Sequence, residues 1–137
     1  MKWYIFIALG VLSTSTELYA TTWSCKNDVE IQCNDVSCSS TNSGEFIPMD
    51  VHFDTRGKFS VCAYSGCWDD KGRVITSGSS RVILKERAHW SASNDDAAMR
   101  EDVSIVFSTT DRIALIKAGS FVFPMHCFKD SKGAGSN

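Results

Sequence analysis

The stretch Phe59-Ser-Val-Cys-Ala-Tyr-Ser-Gly-Cys-Trp-Asp-Asp70 decides how the rest of the chain is read. Its two cysteines can be a redox pair, two arms of a metal site, or a clip across a turn. The residues between them, Ala63-Tyr-Ser-Gly66, are turn-like, and the segments on either side are strand-like. Across a tight antiparallel turn the Cα atoms of Cys62 and Cys67 approach within the roughly 4.4–6.8 Å that a disulfide needs. Thioredoxin-type chemistry uses two intervening residues beside a βαβ pattern, whereas four separate this pair and no such pattern surrounds it. The stretch reads as a stapled turn.

The compartment supports that reading. Met1-Lys-Trp-Tyr-Ile-Phe-Ile-Ala-Leu-Gly-Val-Leu12 places one basic residue before a short apolar run, and Ser13-Thr-Ser-Thr-Glu-Leu-Tyr-Ala20 follows, polar and ending in a small residue. That order is the order of a secretory signal, and the run is shorter than the roughly 20 residues of an ordinary membrane span. Cleavage is expected after Ala20, which gives a signal peptide (1–20), a single domain (21–129) and a polar, disordered tail (130–137). No stable membrane anchor is expected after cleavage, and no cysteine follows the cleavage site to carry a lipid. The expected location is the periplasm or the secreted space.

All six cysteines (Cys25, Cys33, Cys38, Cys62, Cys67 and Cys127) fall in the mature part. An even number in an oxidising compartment is read as three disulfides. Cys33 and Cys38 bracket Asn-Asp-Val-Ser just as Cys62 and Cys67 bracket their turn, which leaves Cys25 and Cys127 to tie the two ends of the domain together. A zinc site built from the two four-residue spacings is formally available, but export and the two cysteines it would strand argue for bridges. No metal and no cofactor are expected.

Period-two alternation runs through the mature chain. Met49, Val51 and Phe53 alternate with Asp50, His52 and Asp54, and Phe59, Val61 and Ala63 share a face on the return. Asp69-Asp70-Lys-Gly72 reads as a turn into Arg73–Thr76. Arg81–Arg87, Val103–Ser108, Ile113–Lys117 and Phe121–Phe128 complete the series, joined by Gly- and Ser-rich punctuation. Short strands at regular spacing predict an all-β fold, a small antiparallel barrel or meander of about eight strands. Ser91–Asp102 interrupts the rhythm as a polar, acidic loop with at most one helical turn capped by Ser93 or Asn94. Its carboxylates do not follow calcium-loop spacing.

No catalytic site declares itself in the sequence: a carbohydrate hydrolase needs two carboxylates across a cleft, and residue order does not single out a pair. The formal net charge is −2 with no basic run, so nucleic acid is not an expected partner. The three histidines (His52, His89, His126) accompany no nucleophile elbow, and a bridged cysteine is no nucleophile. Asp50, His52 and Asp54 lie on one strand face, but successive same-face residues stand about 6.5–7 Å apart, too far to ligate one small ion. The chain is therefore expected not to be an enzyme.

Trp23-Ser-Cys25, Phe59-Ser-Val-Cys62 with Gly66-Cys67, Thr76-Ser-Gly78 and the late Cys127 resemble a group of small secreted six-cysteine proteobacterial proteins of uncharacterised function. The layout is also distantly similar to the periplasmic C-type lysozyme inhibitors, small β-barrels that open on an aromatic and a cysteine. Six cysteines exceed that family's usual number, and its lysine-bearing motif is not recognisable here. That resemblance implies a Ser-Gly loop presented to a hydrolase cleft, with Ser77, Gly78, Ser79 and Arg81 as the candidate interaction loop. Three functions follow as expectations: a non-catalytic binding or structural protein of the cell envelope with a protein or glycan partner, an inhibitor of a lysozyme-like hydrolase, or a carrier of a small apolar ligand. Phe53, Phe59, Phe107 and Phe121 are bulky candidates for inward positions and favour a filled interior over a carrier.

Overall fold

The computed structural model describes residues 20–42, 44–92 and 99–130. Residues 1–19 of the segment read as a signal peptide, the Ser93–Asn94 cap of the polar loop and the tail beyond Asp130 lie outside the described residues. Eleven strands follow one another, with no helix among the described residues: β1 (Thr22–Asn27), β2 (Val29–Cys33), β3 (Cys38–Asn42), β4 (Asp50–Asp54), β5 (Lys58–Ala63), β6 (Gly66–Lys71), β7 (Arg73–Ser77), β8 (Ser80–Ala92), β9 (Arg100–Ser108), β10 (Ile113–Ala118) and β11 (Phe121–Lys129). Eight of them, in the order β1-β4-β5-β6-β8-β9-β10-β11, close into an antiparallel barrel through pairing of β1 with β11. The all-β, eight-stranded, disulfide-stapled barrel expected from the alternation is what forms. Closure removes the exposed edges that an open sheet of this length would carry.

The remaining three strands are outgrowths of barrel strands. β2 continues β1 past Asp28, pairs with the start of β11 through Ile31 and Gln32, and carries β3 on its far side. β7 continues β6 past Gly72 and pairs only with the first half of β8. Gly72 is a close-approach position, since a Cβ there would lie 2.6 Å from Ile83 Cγ2 and 2.8 Å from the Leu84 carbonyl oxygen. The segment Asp69–Lys71, read from sequence as a turn, belongs to β6. The Cys62–Cys67 bridge and the burial of Trp68 hold it in register against β5, so the bend is displaced to Gly72.

Pro124 sits inside β11, where a missing N–H is costly in a central strand. It falls where β11 changes partner: Met125–Lys129 pair with β1 and Phe121–Val122 pair with β2, while Phe123 and Pro124 face the break at Asp28. Two buried polar side chains seal that break. Asn27 donates from Nδ2 to the carbonyls of Val29 and Ile47 and accepts the Met49 N–H at 2.8 Å, and Glu30 accepts the Ile47 N–H at 2.9 Å. They clip the β3–β4 connection onto the barrel, which explains why Asn27 and Glu30 are tolerated in buried positions.

Inward side chains fill the barrel. Trp23 and Phe53 pack against Phe107 with ring centroids 4.7 and 5.1 Å away, and Trp68 meets Trp90 edge-on at 4.3 Å. Val51, Val61, Ile105 and Ile116 are fully enclosed between them. All three expected disulfides are present, Cys25–Cys127, Cys33–Cys38 and Cys62–Cys67, and each joins residues directly opposite each other in the ladder. Cys25–Cys127 lies in the core and ties the first barrel strand to the last. The other two lie at hairpin ends on the surface.

Candidate functional site

Loop positions follow from strand direction. One end of the barrel carries the β4–β5 turn, the β7–β8 tip, the β9–β10 turn and both termini of the domain. The opposite end carries the β5–β6 and β10–β11 turns and the β2–β3 outgrowth.

The Ser-Gly tip occupies the first end. Gly78 has φ +56° while Ser79 keeps a negative φ, the combination that a two-residue type II′ hairpin asks for at its first central position. Ser77, Gly78 and Ser79 are exposed. The Ser79 carbonyl accepts two hydrogen bonds from Thr109, from its N–H at 2.9 Å and its Oγ1 at 3.0 Å, so the β9–β10 turn clamps the tip. Arg81 does not share the tip's outward aspect. It stands opposite Phe107 in the ladder and so points to the barrel interior, where its Nε is buried and finds no acceptor among the described protein atoms. The structure therefore groups Ser77, Gly78 and Ser79 at the tip and sets Arg81 apart, on the interior face opposite Phe107.

A cleft of about 620 Å³ opens at the same end, floored by Phe53 and Phe59 and walled by His52, Lys58, Asp69 and Lys71. Lys58 and Lys71 are direct ladder partners. His52 stands opposite Ser60 and beside Asp50, an order suggestive of a nucleophile, a base and an orienting acid. The contacts do not make that arrangement: His52 Nε2 meets Asp50 Oδ2 at 3.3 Å and Nδ1 meets Asp130 Oδ2 at 3.7 Å. The Ser60 hydroxyl turns to Cys62 Sγ at 3.1 Å. Both imidazole nitrogens face carboxylates, which leaves none for the serine. Asp50, His52 and Asp54 share a face as expected, but Asp54 accepts the N–H groups of Arg56 and Lys58 to shape its own turn.

The opposite end shows what sequence reasoning passed over. In the β2–β3 outgrowth, Asn34 Oδ1 accepts the N–H groups of Val36 and Ser37, and Cys33–Cys38 closes the base, leaving Val36 92 % exposed. The β5–β6 hairpin repeats the design: Cys62–Cys67 closes its base and Tyr64 is 84 % exposed. Beside Tyr64 a second cleft of about 410 Å³ is lined by Pro48, Met49 and Ala63. The signal was present in the sequence as the identity of the residues inside each cysteine pair. Reading the pairs only as staples hid the side chains they hold out.

Comparison of the chain with family models, curated proteins and solved structures gives no match. With three disulfides, the chain is suited to an oxidising, extracellular type of environment.

Proposed function

We propose that this is an exported, non-catalytic binding protein of the periplasm or secreted space that recognises a protein or glycan with rigid hairpin tips. One observation carries this reading: Val36 and Tyr64 are held almost wholly in solvent on loops whose bases are disulfide-closed between directly paired residues. A loop fixed in one conformation loses little entropy on binding, and exposed tyrosine is among the residue types that dominate interface energies. The packed barrel supports the reading as a scaffold, and its filled interior weighs against an apolar-ligand carrier.

The test is a titration of the isotope-labelled mature chain with soluble muropeptides and, separately, with a C-type lysozyme, followed by amide shifts. Shifts centred on residues 34–37 and 64–65, and lost in Val36→Ala/Tyr64→Ala, are the expected result. Shifts centred on the interior or around His52 would remove the reading.

Lysozyme inhibition is the second reading, favoured by the clamped and exposed Ser77–Ser79 tip. It expects inhibition that disappears in Ser77→Ala/Ser79→Ala while the fold is retained. A wild-type chain that leaves every lysozyme tested at full activity ends it.

A further inference from the structure

The outer wall of the barrel is divided. The outward residues of β1, β4, β5 and β6 are polar, charged in both signs, or bridged cysteine: Thr22, Ser24 and Lys26 on β1 and Asp50, His52 and Asp54 on β4 set the pattern. The wall formed by β7 through β11 is different. Ile75, Val82, Val106, Leu115 and Pro124 are successive direct ladder partners, so they form one unbroken outward row across five strands. Ile75, Val106 and Leu115 in this row are 44–45 % exposed. The row on one side is Arg73, Leu84, Ser104, Lys117 and Val122, and the row on the other is Ser77, Ser80, Ser108, Ile113 and His126. Phe128, 61 % exposed, extends the apolar surface along β11. Within these three rows the charged residues are Arg73 and Lys117, with His126 at one corner, and the exposed carboxylates Glu86 and Asp102 lie outside the rows, one step beyond Leu84 and Ser104.

We propose that this face docks the protein on an anionic lipid bilayer. Three features select that occupant. Its fixed charges are cationic, and juxtamembrane Lys and Arg are drawn to anionic headgroups. The wall is the convex outside of a closed barrel, so it offers a strip of side chains to a soft surface. Its size is small for self-association: the three rows hold fifteen residues, against the roughly 20–30 a side of a stable interface. A second copy seated row on row would also bring Arg73 and Lys117 against their own kind, with no acid inside the three rows to pair them. The proposal is independent of the hairpin-tip reading, since it uses a different surface.

The experiment is co-sedimentation of the oxidised mature chain with vesicles of phosphatidylethanolamine and phosphatidylglycerol (3:1), set against pure phosphatidylcholine, in low and high salt. Binding to the anionic vesicles that weakens with salt is expected. Val106→Glu/Leu115→Glu abolishes it. Arg73→Gln/Lys117→Gln, which leaves the apolar row untouched, weakens it roughly thirtyfold, about fivefold for each cation. Circular dichroism and free-thiol assay check that both variants remain folded and bridged. Absence of binding to anionic vesicles overturns the proposal, as does equal binding to phosphatidylcholine or binding retained in Val106→Glu/Leu115→Glu. A native-mass dimer that this variant converts to monomer would assign the face to a second copy and overturn it as well.

Discussion

Removing the buried bridge while leaving both surface staples tests how the barrel is held shut. Cys25 and Cys127 are 0 % and 2 % exposed, and their bridge spans 102 positions of chain. Loop-closure entropy for a loop of that length amounts to about 4.7 kcal/mol at 25 °C. The surface bridges each span 5 positions, and the same relation gives them about 2 kcal/mol each. Cys25→Ala/Cys127→Ala should therefore cost about 2–3 kcal/mol more than either surface double variant, and the space left in the core adds to the difference. In a domain of this size, about 4–5 kcal/mol lowers Tm by roughly 20 °C or more. Equilibrium urea unfolding followed by tryptophan fluorescence gives the three values side by side, because Trp23, Trp68 and Trp90 all lie in or against the core. If the core double variant loses no more stability than Cys33→Ala/Cys38→Ala, then the long bridge does not close the barrel thermodynamically. The β1–β11 ladder and its packing would then do so alone.

Other expectations are more local. Gly57→Ala should cost about 2–3 kcal/mol in thermal unfolding, because Gly57 has φ +91° and a Cβ there meets the Gly72 carbonyl oxygen at 2.5 Å and Val74 Cγ2 at 2.7 Å; a neutral result would mean that the turn shifts freely. Asn27→Ala removes three hydrogen bonds, two of which tie the β3–β4 connection down, and a loss of roughly 2–4 kcal/mol is expected, with faster amide exchange at Met49. Exchange at Met49 unchanged from wild type would contradict the clip. Thr109→Val keeps the backbone bond to Ser79 but removes the hydroxyl bond. It should destabilise the domain by about 1 kcal/mol or less, while faster exchange appears at the Ser77–Ser80 tip and not in β5.

Some of the protein was determined by residue order alone. Alternation in Met49–Asp54 and Lys58–Ala63 fixed which side chains enter the core, since a strand turns each successive residue to the opposite face. The equal spacing inside Cys33/Cys38 and Cys62/Cys67 fixed two hairpins, and the remaining pair then joined the first strand to the last. These are short-range rules, or follow by elimination from them. The turn read at Asp69–Gly72 shows their limit. Two aspartates and a glycine favour a turn locally, yet Trp68 in the core and the bridge beside it keep Asp69–Lys71 extended. The Ser77–Arg81 loop shows it again, for the resemblance to an inhibitor loop groups Arg81 with the serines and the ladder turns it inward opposite Phe107.

Tertiary structure alone decided what lies side by side around the barrel. Ile75, Val82, Val106, Leu115 and Pro124 come from five strands, and each reads locally as an unremarkable outward residue. Only register carries them into one row, because lateral neighbours in a closed sheet are set by strand stagger and not by distance along the chain. The same holds for the exposed Val36 and Tyr64. Sequence placed each inside a cysteine pair, but only the fold, by sending both hairpins to one end of the barrel, left these side chains in water.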